Sequence, residues 1–194
     1  AEQNIASTWI APDLLRSGYY QSRSLLSVSS CGICGKRELG DIEVDGAPLQ
    51  VSAHFDAKLI HEMFDFMALN QPTFIQTGGA HAASCFDLSG EMLAIQEDIG
   101  RHNAVDKVIG ELLSKNLLSR VRFLLVSGRI SYEIVSKCFK AGIPILAAVS
   151  SPSSMSIEYA EALGITLLAF CRNESLTCYA NVNRLSNREK ISFK

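Results

Sequence analysis

The sequence lacks a large excess of charge of either sign, and it lacks any long hydrophobic run. Its 194 residues carry a formal net charge of −2, which excludes a general electrostatic attraction to nucleic acid or to an anionic membrane. The apolar runs, such as residues 123–126 and 143–149, fall well short of the roughly 20 residues that span a bilayer. We therefore expect no nucleic-acid partner and no membrane partner.

Signals for export and for a disulfide-stapled scaffold are also missing. Residues 1–8 have no basic flank before an apolar stretch, so no secretory signal is predicted there. The six cysteines are too few for a disulfide scaffold in a chain of this length. Cys85 and Cys138 fall inside apolar segments, where reduced core cysteines are typical. These features favour a cytoplasmic protein.

No sharp linker and no internal repeat divides the chain. Its length suits one domain with a small appendage. Residues 1–50 are mixed, with Ser- and Gly-rich stretches, and a regular apolar pattern begins near residue 55. We assign residues 1–50 to an N-terminal segment and residues 51–194 to an α/β domain.

Helices and strands are predicted to alternate through the α/β domain. The apolar spacing over 57–69 predicts a helix, and residues 82–86 and 92–95 predict a β-hairpin. Further helices are predicted at 102–115, 131–141 and 154–163, and further strands at 73–76, 121–126, 144–149 and 165–170. This alternation predicts a three-layer α/β/α domain whose largely parallel sheet carries an antiparallel hairpin.

Three polar loops each follow a predicted strand and open the next helix, and a fourth polar loop leaves the last strand. In an open α/β sheet such loops gather at the edge where ligands bind, and helix N-termini there attract phosphate. Arg101, Arg129 and Arg172 could add charge-assisted contacts, which points to a phosphorylated or nucleotide ligand. Helix capping by Ser and Asn is the alternative for each loop taken alone. The loops span residues 97–103, 127–131, 150–154 and 170–175.

Cys31 and Cys34 form the most distinctive chemical feature of the sequence. A glycine follows each cysteine, which loosens the backbone and leaves the sulfur atoms accessible. A thiol pair at this spacing serves as half of a zinc site, as a redox couple or as a sulfur relay.

The zinc and redox interpretations fit the sequence less well than the relay. A structural zinc ion needs two further ligands, and the spacing of Cys171 and Cys178 is not that of a zinc knuckle. A zinc deaminase needs a His-x-Glu motif, but Ala83 stands two residues after His81. A thioredoxin-type pair begins a helix, which the glycines disfavour. We therefore favour sulfur transfer between proteins and predict no bound zinc.

Several stretches of the sequence resemble the FdhD-type formate dehydrogenase accessory sulfurtransferases. The longest, residues 97–107, reads Glu-Asp-Ile-Gly-Arg-His-Asn-Ala-Val-Asp-Lys and is highly specific. The resemblance covers about residues 27–180, while most of the family's N-terminal region is expected to be missing. The other matching stretches are residues 29–35, 77–81, 127–129, 137–144 and 150–170.

The resemblance implies a cytidine-deaminase-like α/β/α fold with a mixed sheet and without the deaminase zinc site. It implies a cytoplasmic sulfur carrier that accepts persulfide sulfur from a cysteine desulfurase. The sulfur passes to Mo-bis(molybdopterin guanine dinucleotide), or its tungsten counterpart, for formate dehydrogenase, with a guanine nucleotide as mimic of that ligand. A homodimer is also implied. Whether this transfer makes the protein an enzyme stays open at this point.

The resemblance also assigns roles to residues. The persulfide is carried over to Cys31, with Cys34 as the second thiol, and the cofactor-binding stretch to residues 170–175. Two other functions stay open: a nucleotide- or molybdopterin-cofactor-binding chaperone without sulfur transfer, and a zinc-dependent deaminase-like enzyme. The residues expected to bind the cofactor are Phe170, Cys171, Arg172, Asn173, Glu174, Ser175, Arg101, His102, Ser127, Arg129 and His81.

Overall fold

The computed structural model describes residues 46–50, 53–187 and 191–193, together with Trp9 and Ala11. Cys31 and Cys34 lie outside these residues. The helices are α1 (Ala57–Leu69), α2 (Pro72–Thr77), α3 (Arg101–Ser114), α4 (Tyr132–Lys140) and α5 (Ser154–Ala162). The strands are β1 (Phe55–Asp56), β2 (His81–Phe86), β3 (Met92–Asp98), β4 (Phe123–Val126), β5 (Ile145–Ala148), β6 (Thr166–Arg172), β7 (Ser175–Ala180), β8 (Leu185–Asn187) and β9 (Ile191–Phe193).

A mixed seven-stranded sheet lies at the centre of the fold, with the strand order β3-β2-β4-β5-β6-β7-β9. Strands β4, β5 and β6 run parallel to one another. The antiparallel hairpin of β2 and β3 is joined to β4 on one side, and β7 pairs antiparallel with β6 on the other. The predicted parallel sheet with an antiparallel hairpin is therefore confirmed, whereas the sequence reasoning assigned no strand to β7 or β9.

Helices cover both faces of this sheet, because successive residues of each strand point to opposite sides. In β4, Leu124 joins a core cluster with residues of α3, α4 and α5. Its neighbour Phe123 joins a second cluster with residues of α1. The three-layer α/β/α class is therefore confirmed. Among the helices of the described residues, none has both the length and the apolar character needed to cross a membrane.

Helix α1 forms where the sequence supplies both a cap and an apolar face. The Asp56 carboxylate accepts a hydrogen bond from the backbone N–H of Lys58 at 2.8 Å, which satisfies one donor of the first turn. Ile60, Met63 and Met67 follow at helical spacing and are buried. Each such side chain contributes about 1.5–3 kcal/mol by its burial, so tertiary packing fixes this helix in place.

The strand predicted at residues 73–76 is wrong, because these residues lie in helix α2. Pro72 occupies the first turn, where its missing N–H is not needed. The Glu97 carboxylate accepts hydrogen bonds from the backbone N–H groups of Thr73 at 2.8 Å and Phe74 at 2.7 Å. A cap that comes from strand β3 thus overrides the β-preference of a Thr-Phe-Ile sequence.

The remaining boundaries shift by only a few residues. Strand β3 continues to Asp98, so Glu97 and Asp98 lie in the strand and not in the loop assigned to them. Strand β6 likewise continues to Arg172. Helices α4 and α5 are followed by Gly142 and Gly164 in the left-handed region, at φ 69° and 71°, as expected for glycines that end helices. The domain boundary after residue 50 stays a prediction.

Candidate functional site

One edge of the central sheet gathers the carboxyl ends of its parallel strands. Because β2 runs antiparallel to β4, its first residue, His81, lies at this same edge and pairs with Asp98 at the end of β3. The turn that joins β6 to β7 also lies here. We call this region the carboxyl edge, and define it as residues 79–81, 97–103, 127–131, 149–153 and 170–175.

Gly128 brings two basic side chains of the carboxyl edge close to the backbone. A Cβ atom at this position would lie 3.3 Å from Cδ of Arg101 and 3.3 Å from Nδ1 of His81, which is tighter than ordinary van der Waals contact. Arg129 follows directly and is exposed. We call His81, Arg101 and Arg129 the basic cluster. The absence of a side chain at Gly128 allows this cluster to form.

The basic cluster holds its histidine in the neutral form. Burial lowers the pKa of His81, and the positive charges of Arg101 and Arg129 lower it further. A bound anion would oppose both arginine charges and raise that pKa. The cluster is thus suited to bind an anion and to take up a proton as it does so.

Ser127 holds the loop that leads into the basic cluster. Its Oγ accepts a hydrogen bond from the Ala82 N–H at 2.9 Å, and its own N–H donates to the Ala82 carbonyl at 3.0 Å. These two bonds extend the pairing of β2 and β4 past Val126. Ser127 therefore fixes the position of the loop, whatever ligand the edge binds.

His102 ties the first turn of α3 to the start of α4. Its Nε2 lies 2.9 Å from Oγ of Ser131 and 3.2 Å from Oε2 of Glu133. Burial and the charge of Arg101 lower the pKa of His102, while Glu133 opposes them. His102 thus links the two helices whose first residues border the basic cluster.

The acidic side chains at the end of β3 are occupied by structural contacts. Glu97 caps α2, as described above. Asp98 Oδ1 accepts hydrogen bonds from the Gly100 N–H at 2.9 Å and from Asn103 Nδ2 at 3.0 Å, and Lys107 Nζ lies 3.3 Å from its Oδ2. The carboxylate of Glu97 therefore organises the start of α2, and that of Asp98 organises the start of α3.

The turn between β6 and β7 has an unusual backbone. Phe170, Asn173 and Glu174 have φ angles of 53°, 52° and 53°, in the left-handed region that costs a non-glycine residue about 1–2 kcal/mol. The pairing register shifts between Ala169 and Arg172, which marks a bulge. Strained backbone of this kind clusters at ligand sites, and here it falls within the stretch assigned to cofactor binding.

The side chains of this stretch lie in different surroundings. The Phe170 ring packs against Tyr179, with centroids 6.4 Å apart. Ser175 Oγ donates to the Arg172 carbonyl at 2.9 Å. Arg172, Asn173 and Glu174 are exposed. Only some of the assigned residues therefore present side chains that a ligand could reach.

A cavity of about 390 Å³ lies between α1 and the β6–β7 turn. Its size is that of a small-molecule site. Ser127 and residues 171–174 line it, together with an α1 face that includes His61, Phe64 and Asp65. The sequence reasoning treated α1 as a packing helix and missed this face. The sequence signal for this face was a polar strip on α1, with His61 and Asp65 at helical spacing beside the apolar strip.

A second, larger cavity of about 500 Å³ lies at the opposite edge of the sheet. Its cation, Arg184, already donates to the Leu49 carbonyl and to Thr166 Oγ1, each at 3.0 Å. Because this guanidinium serves the fold, cavity volume alone is a poor guide to the site. We place the candidate site at the carboxyl edge, where the predicted loops meet.

The four cysteines in the described part of the chain are Cys85, Cys138, Cys171 and Cys178, and all are buried. Burial raises the pKa of Cys85 and Cys138 and that of Cys171 to about 12. The thiolate is the reactive form of cysteine, so Cys85, Cys138 and Cys171 are poor nucleophiles at neutral pH. Within the described ranges no group of three or more His, Cys, Asp or Glu side chains could hold a metal ion; the zinc-free state of the whole chain stays a prediction.

Comparison with known families now places the chain. The sequence model of the FdhD/NarQ family matches residues 2–186. The chain belongs to the FdhD/NarQ family. This membership confirms the resemblance that residues 97–107 carry. The matched range includes Cys31 and Cys34 as well as the carboxyl edge.

Relatives in the FdhD/NarQ family are similar over most of this chain. The sulfur carrier protein FdhD of Sulfolobus acidocaldarius is 45% identical over 173 residues, which cover 89% of this chain and 67% of that protein. The protein of the same name from Mycobacterium tuberculosis is 42% identical over 186 residues, covering 94% and 67%. The chain thus spans about two thirds of the length of these relatives.

A solved structure shares this fold. It is the crystal structure of a protein assigned as a formate dehydrogenase accessory protein from Desulfotalea psychrophila, 31% identical to this chain, with a TM-score of 0.66. The similarity covers 72% of this chain and 62% of that one. This chain and that accessory protein therefore share one fold over the matched residues.

Proposed function

We propose that this member of the FdhD/NarQ family is a cytoplasmic sulfur carrier for formate dehydrogenase. It accepts persulfide sulfur from a cysteine desulfurase and delivers it to the bis-guanine-dinucleotide cofactor of molybdenum or tungsten, which binds at the carboxyl edge. A homodimer is part of the proposal. The sulfur carrier proteins among its relatives support the carrier function, and the geometry of the carboxyl edge supports an anionic, nucleotide-containing ligand.

One structural observation carries the ligand half of this proposal. Arg129 and Arg172 are exposed at the carboxyl edge, and no hydrogen bond or ion pair joins either guanidinium to another described residue. Guanidinium groups bind phosphate through charge-assisted hydrogen bonds. Two such groups, of which Arg129 belongs to the basic cluster and Arg172 lies in the β6–β7 turn region, suit a ligand with more than one phosphate.

The sulfur half of the proposal rests on thiol exchange. A Cys31 thiolate attacks the terminal sulfur of the donor persulfide, the S–S bond of the donor breaks, and the donor leaves as a thiolate. No net oxidation occurs in this step. When the Cys34 thiolate then attacks the inner sulfur of Cys31, the terminal sulfur leaves as hydrosulfide and a Cys31–Cys34 disulfide forms. The thiol pair supplies the two electrons, and a dithiol reductant restores it.

The described cysteines support this assignment by contrast. Cys85, Cys138 and Cys171 are buried, and burial raises the pKa of each thiol. A group that stays protonated at neutral pH attacks a persulfide slowly. The sulfur is therefore expected on Cys31 or Cys34, which glycines flank in the sequence.

Intact-mass spectrometry after incubation with a cysteine desulfurase and cysteine tests the carrier. The wild type should gain about 32 Da per transferred sulfur, and Cys31→Ala should lose this adduct. Cys85→Ala is the matched control, because it removes a buried thiol and should keep the adduct. A wild-type protein that gains no sulfur contradicts the carrier function.

A cofactor-escorting chaperone without sulfur transfer is the second candidate function. It is favoured by the exposed guanidinium groups of Arg129 and Arg172, because they suit a phosphate-containing ligand without requiring any sulfur transfer. Nucleotide binding without any sulfur adduct would establish it in place of the carrier. Elemental analysis of the purified chain addresses the deaminase-like alternative, and we expect well under one zinc ion per chain.

A further inference from the structure

Helix α2 is exposed along its whole length. None of its six residues is buried, and Gly78 and Gly79 after it are exposed as well. A helix this short is marginal in water and is normally held by an apolar face that packs on the core. Glu97 caps α2, but the described part of the chain buries none of its side chains. The helix therefore has an apolar surface that the single chain does not use.

The apolar side chains of α2 belong to a larger exposed patch. Phe74 and Ile75 lie on α2, and Leu69 ends α1 only a short turn before it. Ile99 comes two residues after Glu97, whose carboxylate binds the first turn of α2. These large side chains are 46–86% exposed. We define the α2 patch as Phe66, Leu69, Phe74, Ile75 and Ile99.

The segment that supplies most of the α2 patch has no formal charge. Residues 66–80 contain no Asp, Glu, Lys or Arg, although these residue types make up 20% of the chain. A partner protein that is steered by opposite charge would find no charge to recognise here. A second copy of this chain requires such neutrality, because residues near a two-fold axis meet their own copies and any charge would face a like charge.

The size of the α2 patch also suits a second copy. Single exposed apolar side chains are normal on a protein surface, but this patch joins five of them in neighbouring elements. Together they present several hundred Å² of apolar surface. A stable interface buries about 800 Å² per partner, and the interfaces of homodimers are the more apolar ones. The patch is large enough to be the core of such an interface.

We propose that the α2 patch is the surface through which two copies of this chain form a two-fold symmetric dimer, with α2 of one protomer packed against α2 of its partner. The inference rests on the homodimer of the proposed function and adds the surface that forms it. In this dimer α2 gains the packing that the single chain does not give it.

Sedimentation equilibrium of the wild type, Ile75→Lys and Leu113→Lys tests the α2 patch. The wild type should be a dimer at micromolar concentration. Ile75→Lys should raise the dissociation constant of the dimer about hundredfold or more, because like charges would be buried against each other in an apolar contact. Leu113 is a 57% exposed residue near the end of α3. Leu113→Lys is therefore matched in exposure and in added charge, and it should remain a dimer.

Hydrogen exchange of the wild type is a second measurement that needs no variant. The amides of residues 73–79 should exchange more slowly above the dissociation constant of the dimer than below it, because the dimer covers α2. Those of residues 108–113 in α3 should not change. Circular dichroism controls for the folding of Ile75→Lys, and if that variant loses structure, hydrogen exchange decides. Exchange in α2 that does not depend on concentration overturns the interface.

The outcomes separate this inference from the proposed function. A wild-type dimer that survives a folded Ile75→Lys overturns the α2 patch and leaves the homodimer. A wild type that is monomeric throughout assigns the patch to a different protein, and it overturns both the inference and the homodimer. The sulfur adduct, measured on the same preparations, reports on the carrier alone. A dimer that Ile75→Lys disrupts, in a protein that gains no adduct, supports the patch and overturns the carrier.

Discussion

The two edges of the central sheet carry arginines in different surroundings. At the edge where β4 begins, Arg120 Nη2 lies 3.1 Å from Asp87 Oδ2 and 2.8 Å from Glu91 Oε2. Arg122 donates to two backbone carbonyl oxygens of the preceding turn, each at 2.8 Å. Both guanidinium groups are engaged by the fold. At the carboxyl edge, Arg129 and Arg172 have no such contact with described residues.

The backbone conformation also differs between the two edges, and the strained residues lie at the carboxyl edge. At the opposite edge the left-handed positions are held by residues that tolerate them, such as Gly142 at φ 69° and Asn181 at φ 50°. At the carboxyl edge, Phe170 and Glu174 adopt this conformation. One edge is therefore built for stability, while the other accepts strain and leaves cations unengaged, as expected where a ligand completes the structure.

The largest effect should come from exchanging the arginines of the carboxyl edge for alanine. The double variant Arg129→Ala/Arg172→Ala should bind GDP about tenfold to a hundredfold more weakly, because two charge-assisted contacts to phosphate are removed. Its melting temperature without ligand should stay that of the wild type. Calorimetry and thermal melting measure the two quantities.

The matched control is Arg120→Ala/Arg122→Ala at the opposite edge. It should lower the melting temperature, because Asp87 and Glu91 lose their partner, and it should leave GDP affinity unchanged. If the two double variants weaken GDP binding equally, the difference between the edges has no functional meaning.

The cap on α2 should make the carboxyl edge sensitive to acid. Burial alone would raise the pKa of Glu97, but hydrogen bonds from Thr73 and Phe74 outweigh it and lower that pKa. A lowered folded-state pKa gives stability that is complete above the unfolded value of about 4.3 and is lost as the pH falls through the folded value. Glu97→Gln should therefore cost about 1–2 kcal/mol at pH 7.

Urea unfolding of the wild type and Glu97→Gln between pH 7 and pH 3 checks this prediction. The difference in unfolding free energy between the two proteins should shrink as the pH falls below about 4. Glu91→Gln provides a control at the opposite edge that should leave nucleotide affinity unchanged. A Glu97→Gln penalty that is constant with pH would show that the carboxylate charge does not cap α2.

Most of the fold could be predicted because its elements are periodic and buried. The apolar spacing of α1 and the run of β4 identified both elements directly. Helix α2 could not be identified in this way, since its cap comes from Glu97 in a distant strand. Strand β7 was missed although its signal was present: Leu176, Cys178 and Ala180 alternate with less buried residues.

The candidate site was predictable in part. Loops that follow parallel strands must meet at one edge, and this rule places Arg101, Arg129 and Arg172 at the carboxyl edge. The position of Asp65 in the wall of a cavity could not be predicted, because an acid on a helix resembles any solvated residue until the β6–β7 turn is placed opposite it. Only the tertiary fold creates the cavity that they share.

A smaller effect should appear in the pH dependence of nucleotide binding. His81 is neutral in the free protein, because burial and then Arg101 and Arg129 lower its pKa. A bound phosphate would raise that pKa, so binding should take up a proton. The affinity ratio of the wild type to His81→Asn should rise about threefold to tenfold from pH 8 to pH 6.

Because the phosphate titrates in the same way with both proteins, its own effect on affinity cancels in this ratio. The exposed His54→Asn is the control. A ratio independent of pH would show that His81 does not face the anion.

The smallest effect separates two glycines, Gly110 within α3 and Gly128 in the loop after β4, which approaches Arg101 at the start of α3. A Cβ at Gly110, in the middle of α3, would meet no atom within 4 Å, so Gly110→Ala should stabilise the protein by about 0.5–1 kcal/mol through helix propensity. Gly110→Ala should not change GDP affinity.

Gly128→Ala should weaken GDP binding, because its Cβ would press on Arg101 and His81 at 3.3 Å and displace the basic cluster. Urea unfolding and calorimetry on both variants measure these effects. Unchanged GDP affinity in Gly128→Ala would mean that the close approach at Gly128 serves packing alone, and the carboxyl edge would then differ from the opposite edge only in its arginines and its strained turn.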